Sequence, residues 1–292
     1  MEIYSDHDFT QAIQLARQGK FLHSLQILKK LNNVHPNDKL VMLKIAEVNE
    51  QLGNIESVIT MVNENTPETF SNEYLLQFAQ MFIRNNHCEE AADLISLVDK
   101  TSFPEAYYLK GQANFILQEY EIAMINFSDF IKNGKNSELL GEAYQYISEC
   151  HIAKKNYDMA LKYAEKAEGL TSLSPELYFI LAKIYYFKDM DYHAKEYINK
   201  AIKMNETNQE FKDLAGRILY KTGDYIKAEK FLRASILINE KNSDTLSLLG
   251  LSCLKQDKTM EAMEFFNKSL ELNPEDTIAK NGIVECSAKI SV

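Results

Sequence analysis

Small and apolar residues recur along the chain with a fixed spacing of 34 residues. Gly250 is followed twelve residues later by Ala262, and Phe266 comes one helical turn after that. Steps of 34 towards the N-terminus give the corresponding sets Gly216, Ala228 and Leu232, then Ala182, Ala194 and Ile198, then Ser148, Ala160 and Ala164. A period of this length is typical of paired helices that stack on one another. The pattern predicts about seventeen helices and no sheet.

We divide the chain into eight repeats and a last helix, at residues 5–38, 39–71, 72–103, 104–140, 141–174, 175–208, 209–242, 243–276 and 277–292. The eighth position is small in every repeat: Ala12, Ala46, Ala79, Gly111, Ser148, Ala182, Gly216 and Gly250. The twentieth position is Ser24, Val58, Ala91, Ala123, Ala160, Ala194, Ala228 and Ala262. Larger side chains would push two closely crossing helices apart, so we expect the helix pairs to cross at these positions.

The helix breakers fall where this division needs them. Ser174 and Pro175 have the residue types that begin a helix, with a hydroxyl cap and a proline in the first turn. The turn between paired helices falls at the fifteenth position of the repeat, where a flexible backbone is an advantage. Three repeats have glycine there, namely Gly19, Gly53 and Gly223. The helix at 277–292 is expected to cover the eighth repeat with Ile278, Ile283 and Val284.

The period and the small positions resemble the tetratricopeptide repeat family over residues 5–276. The resemblance implies an all-α fold in a single domain at 1–292, an α-solenoid with a right-handed superhelix of about eight helix-turn-helix repeats and a C-terminal capping helix. The chain has no Trp, and Tyr107, Tyr144 and Tyr178 stand where the family often has one. The function that the resemblance implies is a scaffold or adaptor that binds other proteins.

Composition and charge narrow the function classes. The net charge is −10, and residues 1–140 hold 11 basic against 19 acidic residues without any basic run. Nucleic acid and anionic membrane surfaces are therefore disfavoured as partners. The start of the chain does not resemble a secretory signal, and no run of 18 apolar residues occurs, so we expect no membrane insertion. Four widely spaced cysteines fit a reducing, cytoplasmic compartment.

Two adjacent pairs, His87 with Cys88 and Cys150 with His151, have the residue types of a nucleophilic dyad. Both pairs fall at repeat positions where ordinary packing is the favoured interpretation. No metalloprotease, phosphate-binding, dinucleotide-binding or paired-cysteine motif occurs. The sequence therefore predicts a protein that is no enzyme and that uses no cofactor and no metal.

In the resembled family the first helix of each repeat lines a concave groove, and ligands usually meet positions 2, 5, 9, 12 and 13. Seven of the eight residues at position 2 are acidic, either to match the helix dipole or to attract a basic ligand. Apolar residues at positions 5, 12 and 13 either mark an exposed binding site or tuck against neighbouring helices. The candidate groove residues are Tyr108, Phe115, Phe179, Tyr186, Phe187, Tyr220, Glu105, Glu142, Glu176 and Glu210.

We expect the groove to hold a peptide or helix of a partner protein that carries apolar anchors and basic residues. The heat-shock chaperone tail is disfavoured because no three consecutive repeats supply the Lys and Asn set that some family members use for it. The alternative function is a structural subunit that self-associates through its repeats, as a homodimer or in a larger assembly. Light scattering separates these two functions.

Overall fold

The computed structural model describes residues 7–36, 38–170, 174–239 and 241–290. In these ranges the chain forms seventeen α-helices and one short 3-10 helix, Pro67–Thr69, and no strand. The predicted all-α fold class is confirmed. The helices belong to two compact units, Met1–Cys150 and His151–Val292. Each unit is a stack of helix-turn-helix repeats.

The first unit contains four helix pairs and most of a further helix. The helices are α1 (His7–Arg17), α2 (Phe21–Val34), α3 (Lys39–Gln51), α4 (Ile55–Glu64), α5 (Asn72–Arg84), α6 (Cys88–Ser96), α7 (Glu105–Ile116), α8 (Tyr120–Asn133) and α9 (Ser137–Ala153). α9 begins four residues before the repeat predicted at 141. Its early start follows from Asn136, whose Oδ1 accepts the N–H groups of Glu138 at 3.0 Å and Leu139 at 3.3 Å.

The second unit continues the same alternation of first and second helices. Its helices are α10 (Tyr157–Glu168), α11 (Pro175–Phe187), α12 (Asp191–Met204), α13 (Gln209–Lys221), α14 (Tyr225–Ile236), α15 (Ser243–Leu254), α16 (Thr259–Leu272) and α17 (Thr277–Ile290). The predicted start of α11 is confirmed, since Ser174 Oγ accepts the Leu177 N–H at 3.1 Å and Pro175 is the first helical residue.

The small residues lie where the two helices of a repeat cross, as predicted. All sixteen residues at positions 8 and 20 are buried. A Cβ added to Gly216 would lie 2.5 Å from Leu232 Cγ, and one added to Gly250 would lie 2.6 Å from Phe266 Cε1. A full side chain therefore does not fit at these positions, and the bulky residue at position 24 of the same repeat fills the space instead.

The turn between paired helices has one backbone conformation in all eight repeats. The residue at position 15 has a positive φ, from 57° at Asp189 to 82° at Gly223. Only three of these residues are glycines, so the other five repeats adopt the left-handed conformation with Asn86, Gln118, Lys155, Asp189 and Asp257. Asn and Asp adopt this conformation more readily than other side chains do, but Gln118 and Lys155 are held in it by the stacked helices against their own preference.

The last helix covers the eighth repeat with a different face from the predicted one. Ile283 packs against the core as expected, but Ile278 is 49% exposed and Val284 is 70% exposed, so the prediction for these two residues is wrong. The buried residues of α17 are Ala279, Gly282 and Cys286. A residue as small as Gly282 is needed there because Phe266 of α16 lies against the helix backbone.

Asp276 fixes the start of this last helix. Its carboxylate is buried and accepts hydrogen bonds from Ser247 Oγ at 2.5 Å and Ser269 Oγ at 2.6 Å, and its other oxygen accepts the N–H groups of Ile278 and Ala279. Burial alone would raise the pKa of Asp276, but these hydrogen bonds outweigh burial and lower the pKa below its usual value. The carboxylate thus ties α17 to α15 and α16.

Enlarging a residue at a helix crossing tests this packing. We expect Ala194→Leu and Ala228→Leu each to lower the free energy of unfolding by about 1–3 kcal/mol, because both sites are fully buried at crossings. Urea unfolding measures the effect. The control is Ala288→Leu on the exposed face of α17, which should leave the midpoint nearly unchanged. A midpoint that does not move in either buried variant would contradict the register.

Removing the Asp276 carboxylate tests the attachment of α17. Asp276→Ala should cost about 1–3 kcal/mol at pH 7, because four hydrogen bonds to a charged group are lost. Since the folded-state pKa lies below the unfolded value of about 3.9, this contribution is complete well above that pH and is lost as the pH falls through the folded-state pKa. Urea unfolding at pH 7 and pH 3 should show a difference between parent and variant that shrinks in acid.

The matched control for this experiment is Glu275→Ala, which removes an exposed carboxylate whose partner is Lys280 at 3.1 Å. Exposed ion pairs contribute little to stability, so this variant should resemble the parent at both pH values. Equal stability of Asp276→Ala and Glu275→Ala would show that α17 is held by its apolar contacts alone.

Candidate functional site

In the first unit, the candidate residue Tyr108 is part of the packed interior. It is 5% exposed, and its hydroxyl donates a hydrogen bond to Glu142. Gln112 Nε2 donates to the hydroxyls of Tyr108 at 3.0 Å and Tyr146 at 3.1 Å. Burial, and then the hydrogen bond to Glu142, raise the pKa of Tyr108, so the phenol remains a donor at neutral pH. Tyr108 therefore positions Glu142 and offers a ligand little surface of its own.

Phe115 extends the same aromatic cluster towards the end of α7. Its ring is half-buried and lies 5.2 Å from the ring of Tyr146 and 5.8 Å from that of Tyr120. Glu105, in the first turn of α7, is half-buried as well. Tyr146, which is not among the predicted groove residues, lies beside the Phe115 ring, and the charge of the Glu142 carboxylate acts on its hydroxyl.

A cavity in the first two repeats was also missed by the sequence analysis. It has a volume of 510 Å³ and is lined in part by Ile13, Ala16 and Arg17 of α1 and by Glu47 and Gln51 of α3. These residues occupy positions 9, 12 and 13 of their repeats, which are ligand positions in the resembled family. The sequence feature that could have indicated this cavity is the apolar pair Ile13 and Ala16 at two of those positions.

In the second unit, aromatic residues of the first helices are interleaved with cations. Phe179 of α11 packs on Phe211 of α13 with ring centroids 5.0 Å apart, and Lys183 Nζ lies 5.9 Å from the Phe179 ring. Lys221 Nζ lies 5.1 Å from the ring of Tyr186. Lys183 and Lys221 stand at positions 9 and 13, and neither is among the predicted groove residues, which are all aromatic or acidic.

Lys221 is itself neutralised by the turn between α11 and α12. Its Nζ lies 2.5 Å from Asp189 Oδ1 and 3.0 Å from Asp191 Oδ1, and it donates to the Tyr186 carbonyl at 3.3 Å. Burial would lower the pKa of Lys221, but the hydrogen bonds to the two aspartates outweigh burial and raise it. Lys183 has no carboxylate partner among the described residues. Its ammonium group is therefore available to a ligand.

The remaining candidates in the second unit differ in exposure. Phe187 is 43% exposed and stacks on Tyr157 at 5.1 Å, while Tyr220 is half-buried with its ring 5.5 Å from that of Tyr225. Glu176 and Glu210 are exposed in the first turns of α11 and α13. Phe187 is thus the most accessible of the six candidate rings, and the two glutamates stand at positions that also suit the helix dipole.

The two cysteine–histidine pairs have the properties of packing residues. Burial raises the pKa of Cys88 above its usual value and raises that of Cys150 to about 12. His87 lies 3.5 Å from Glu90, and burial lowers the pKa of His151. A thiol that stays protonated is a poor nucleophile and a poor metal ligand. All four cysteines are free and buried.

One cluster in the described part of the chain has ligand atoms close enough for a metal, namely Glu229, Cys253 and Glu261, within 4.8 Å of one another. Cations already occupy this place. Arg233 bonds Glu229 at 2.8 Å and also pairs with Glu261, and Lys258 Nζ lies 2.6 Å from Glu229. Burial raises the pKa of Cys253 to about 11. The cluster is an ion-pair network that joins the seventh and eighth repeats.

The comparisons with known proteins concern both sequence and fold. Residues 175–208, 211–242 and 243–276 match a family model described as tetratricopeptide repeat. No curated protein sequence is significantly similar to the chain. None of the helices in the described ranges is long and apolar enough to cross a membrane.

Two solved structures share the fold at low sequence identity. A chain of the APC/C hetero-tetramer Cut9-Hcn1 matches with a TM-score of 0.70 and 16% identity, over 97% of this chain and 56% of that chain. The pilF protein of Pseudomonas aeruginosa matches with a TM-score of 0.64 and 15% identity, over 73% of this chain and 97% of that chain. At these identities the likeness concerns the fold alone.

The hydroxyl of Tyr108 can be tested directly. Tyr108→Phe removes the donor to Glu142 and the acceptor of Gln112, and we expect it to cost about 1–2 kcal/mol of unfolding free energy. Tyr120→Phe is the matched control, because the Tyr120 hydroxyl has no hydrogen bond among the described residues. Urea unfolding of both variants gives the comparison. Equal midpoints would show that the buried hydroxyl network does not stabilise the first unit.

Proposed function

We propose that the chain, three of whose repeats match the tetratricopeptide repeat family model, is a non-catalytic scaffold that binds a peptide or helix of a partner protein on its first helices. The observation that carries the proposal is the row of aromatic rings on α11. Phe179, Tyr186 and Phe187 lie along one helix, and Phe187 is 43% exposed. Aromatic side chains in such places usually supply most of the binding energy of an interface.

The charges beside these rings define the chemistry of the partner. Glu176 and Glu210 are exposed and favour Lys or Arg in the ligand, whereas Lys183 beside Phe179 favours a carboxylate. The proposed ligand therefore carries apolar anchors with basic residues towards the starts of α11 and α13, and an acidic group near Lys183. This adds an acidic group to the partner that the sequence predicts, which carries apolar anchors and basic residues.

Substituting the rings tests the proposal. After a pull-down from native cell extract identifies a partner, Phe179→Ala and Tyr186→Ala should each weaken its binding by about 1–3 kcal/mol, because buried aromatic contacts are lost. Glu176→Gln should mainly flatten the salt dependence of the association rate, since exposed charges steer encounter more than they hold the complex. Calorimetry and stopped-flow kinetics measure the two effects.

The control is Leu237→Ala, which removes an 83% exposed apolar side chain that follows α14 and belongs to none of the first helices. A partner that binds Phe179→Ala and Tyr186→Ala as tightly as the parent would exclude the proposed site. If light scattering then shows a tight dimer of the parent, self-association is the better proposal.

A further inference from the structure

The eighteenth position of the repeat changes from acidic to apolar between the fifth and sixth repeats. This position is the second residue of each second helix. In the second to fifth repeats it holds Glu56, Glu89, Glu121 and Asp158. In the sixth to eighth repeats it holds Tyr192, Ile226 and Met260. We call these last three residues the second-helix stripe.

The fold does not account for these apolar residues. Tyr192 is 79% exposed, Ile226 is 72% exposed and Met260 is 65% exposed, so none of them contributes much buried area. An acid at the second position of a helix interacts favourably with the positive end of the helix dipole, and the stripe lacks that interaction. Three consecutive repeats thus carry residues that cost stability in isolation. Their recurrence at one repeat position makes these exposed apolar residues a candidate surface for contact with another molecule.

Two lysines flank the stripe on the same helix faces. Lys195 follows Tyr192 by three residues and Lys230 follows Ile226 by four, so each lysine is a surface neighbour of the apolar residue on its helix. Both lysines are exposed, and neither forms an ion pair with any described residue. No direct ion pair holds either ammonium group, although Lys195 acts at longer range on the Asp224 carboxylate, so both groups can meet a negative partner.

The carboxylates around the stripe differ between its two ends. Asp191 and Asp224, at the starts of α12 and α14, already pair with Lys221 at 3.0 Å and Lys227 at 2.8 Å. At the other end, Glu264 follows Met260 by four residues and is exposed. The free charge along the stripe is thus positive over α12 and α14 and negative over α16.

We infer that the second-helix stripe docks an amphipathic helix of a partner protein, with its apolar face on Tyr192, Ile226 and Met260 and its acidic residues over Lys195 and Lys230. Charge complementarity selects an acidic segment. The described residues offer no strand edge to which an extended peptide could add, and an amphipathic helix presents its apolar side chains along one face, so the proposed contact is made by side chains of a helix. This surface lies on second helices and is separate from the groove proposed above.

The experiment uses the full chain and a displayed library of random 16-residue peptides as the probe. The library is first depleted of peptides that bind the triple variant Tyr192→Glu, Ile226→Glu, Met260→Glu. The remaining peptides are then selected for binding to the parent. Enriched peptides should carry apolar residues with spacings of three and four together with Asp or Glu. In fluorescence anisotropy, a synthetic enriched peptide should bind the triple variant at least about tenfold more weakly than the parent.

The triple variant should fold, because the second to fifth repeats carry acids at the same position. Its circular dichroism should match the parent, and its urea midpoint should be equal or higher, since each new acid meets a helix N-terminus. Leu22→Glu is the matched control. Leu22 is 64% exposed at the eighteenth position of the first repeat, outside the stripe, and its substitution should not alter peptide binding.

Charge reversal tests the orientation of the docked helix. Lys195→Glu with Lys230→Glu should weaken the acidic peptide by about five- to tenfold at low salt, whereas Glu264→Lys should not weaken it. Phe179→Ala should bind the peptide like the parent, because that ring belongs to the groove. The groove proposal and the stripe proposal can therefore fail independently of each other.

Several outcomes overturn the inference. One is a selection that yields no peptide able to distinguish the parent from the folded triple variant. Another is a set of enriched peptides that carry basic residues and no acidic ones. A dimer in light scattering, or binding to phosphatidylserine vesicles, that is lost in the triple variant would assign the stripe to a second copy or to a lipid surface.

Discussion

The close crossing of two helices within each repeat is the constraint on which the remaining structure depends. At Gly216 and Gly250 the partner helix approaches so closely that a methyl group would meet Leu232 or Phe266 within 2.6 Å. This approach leaves room for one bulky residue beside each crossing and for none at it. The spacing of small and large residues along the chain therefore follows directly from the contacts between the helices.

Because the crossings fix each helix pair, local conformations elsewhere are determined by the pairs. The five non-glycine residues with positive φ in the turns illustrate this. A lysine or a glutamine has no preference for the left-handed region, yet Lys155 and Gln118 adopt it, since two packed helices leave the chain only one short path between them. The packing energy of the pair exceeds the local cost of the turn.

The sequence predicted the parts of the structure that depend on residue size and local chemistry, and these include the crossings, the Ser174 cap and the helix count. It could not predict side chains whose surroundings come from another repeat. Tyr108 was selected as a groove residue, yet it is buried between Phe130 of its own repeat and Tyr146 of the next, and Glu142, 34 residues away, accepts its hydroxyl. Likewise, the face of α17 that packs was set by the glycine that admits Phe266 and not by the largest apolar residues.

The same reasoning separates positions that the fold uses from positions that it leaves open. At the eighth and twentieth positions every repeat is restricted, because the residue there is buried where the two helices cross, and Val58 is the largest of the sixteen residues. At the eighteenth position the fold asks only for an exposed residue, with a mild preference for acid from the helix dipole. A run of exposed apolar residues such as Tyr192, Ile226 and Met260 satisfies neither core packing nor that preference. In a repeat protein, exposed apolar residues that packing does not explain are therefore the best guide to a binding surface. They are found by comparing the repeats of one chain with one another.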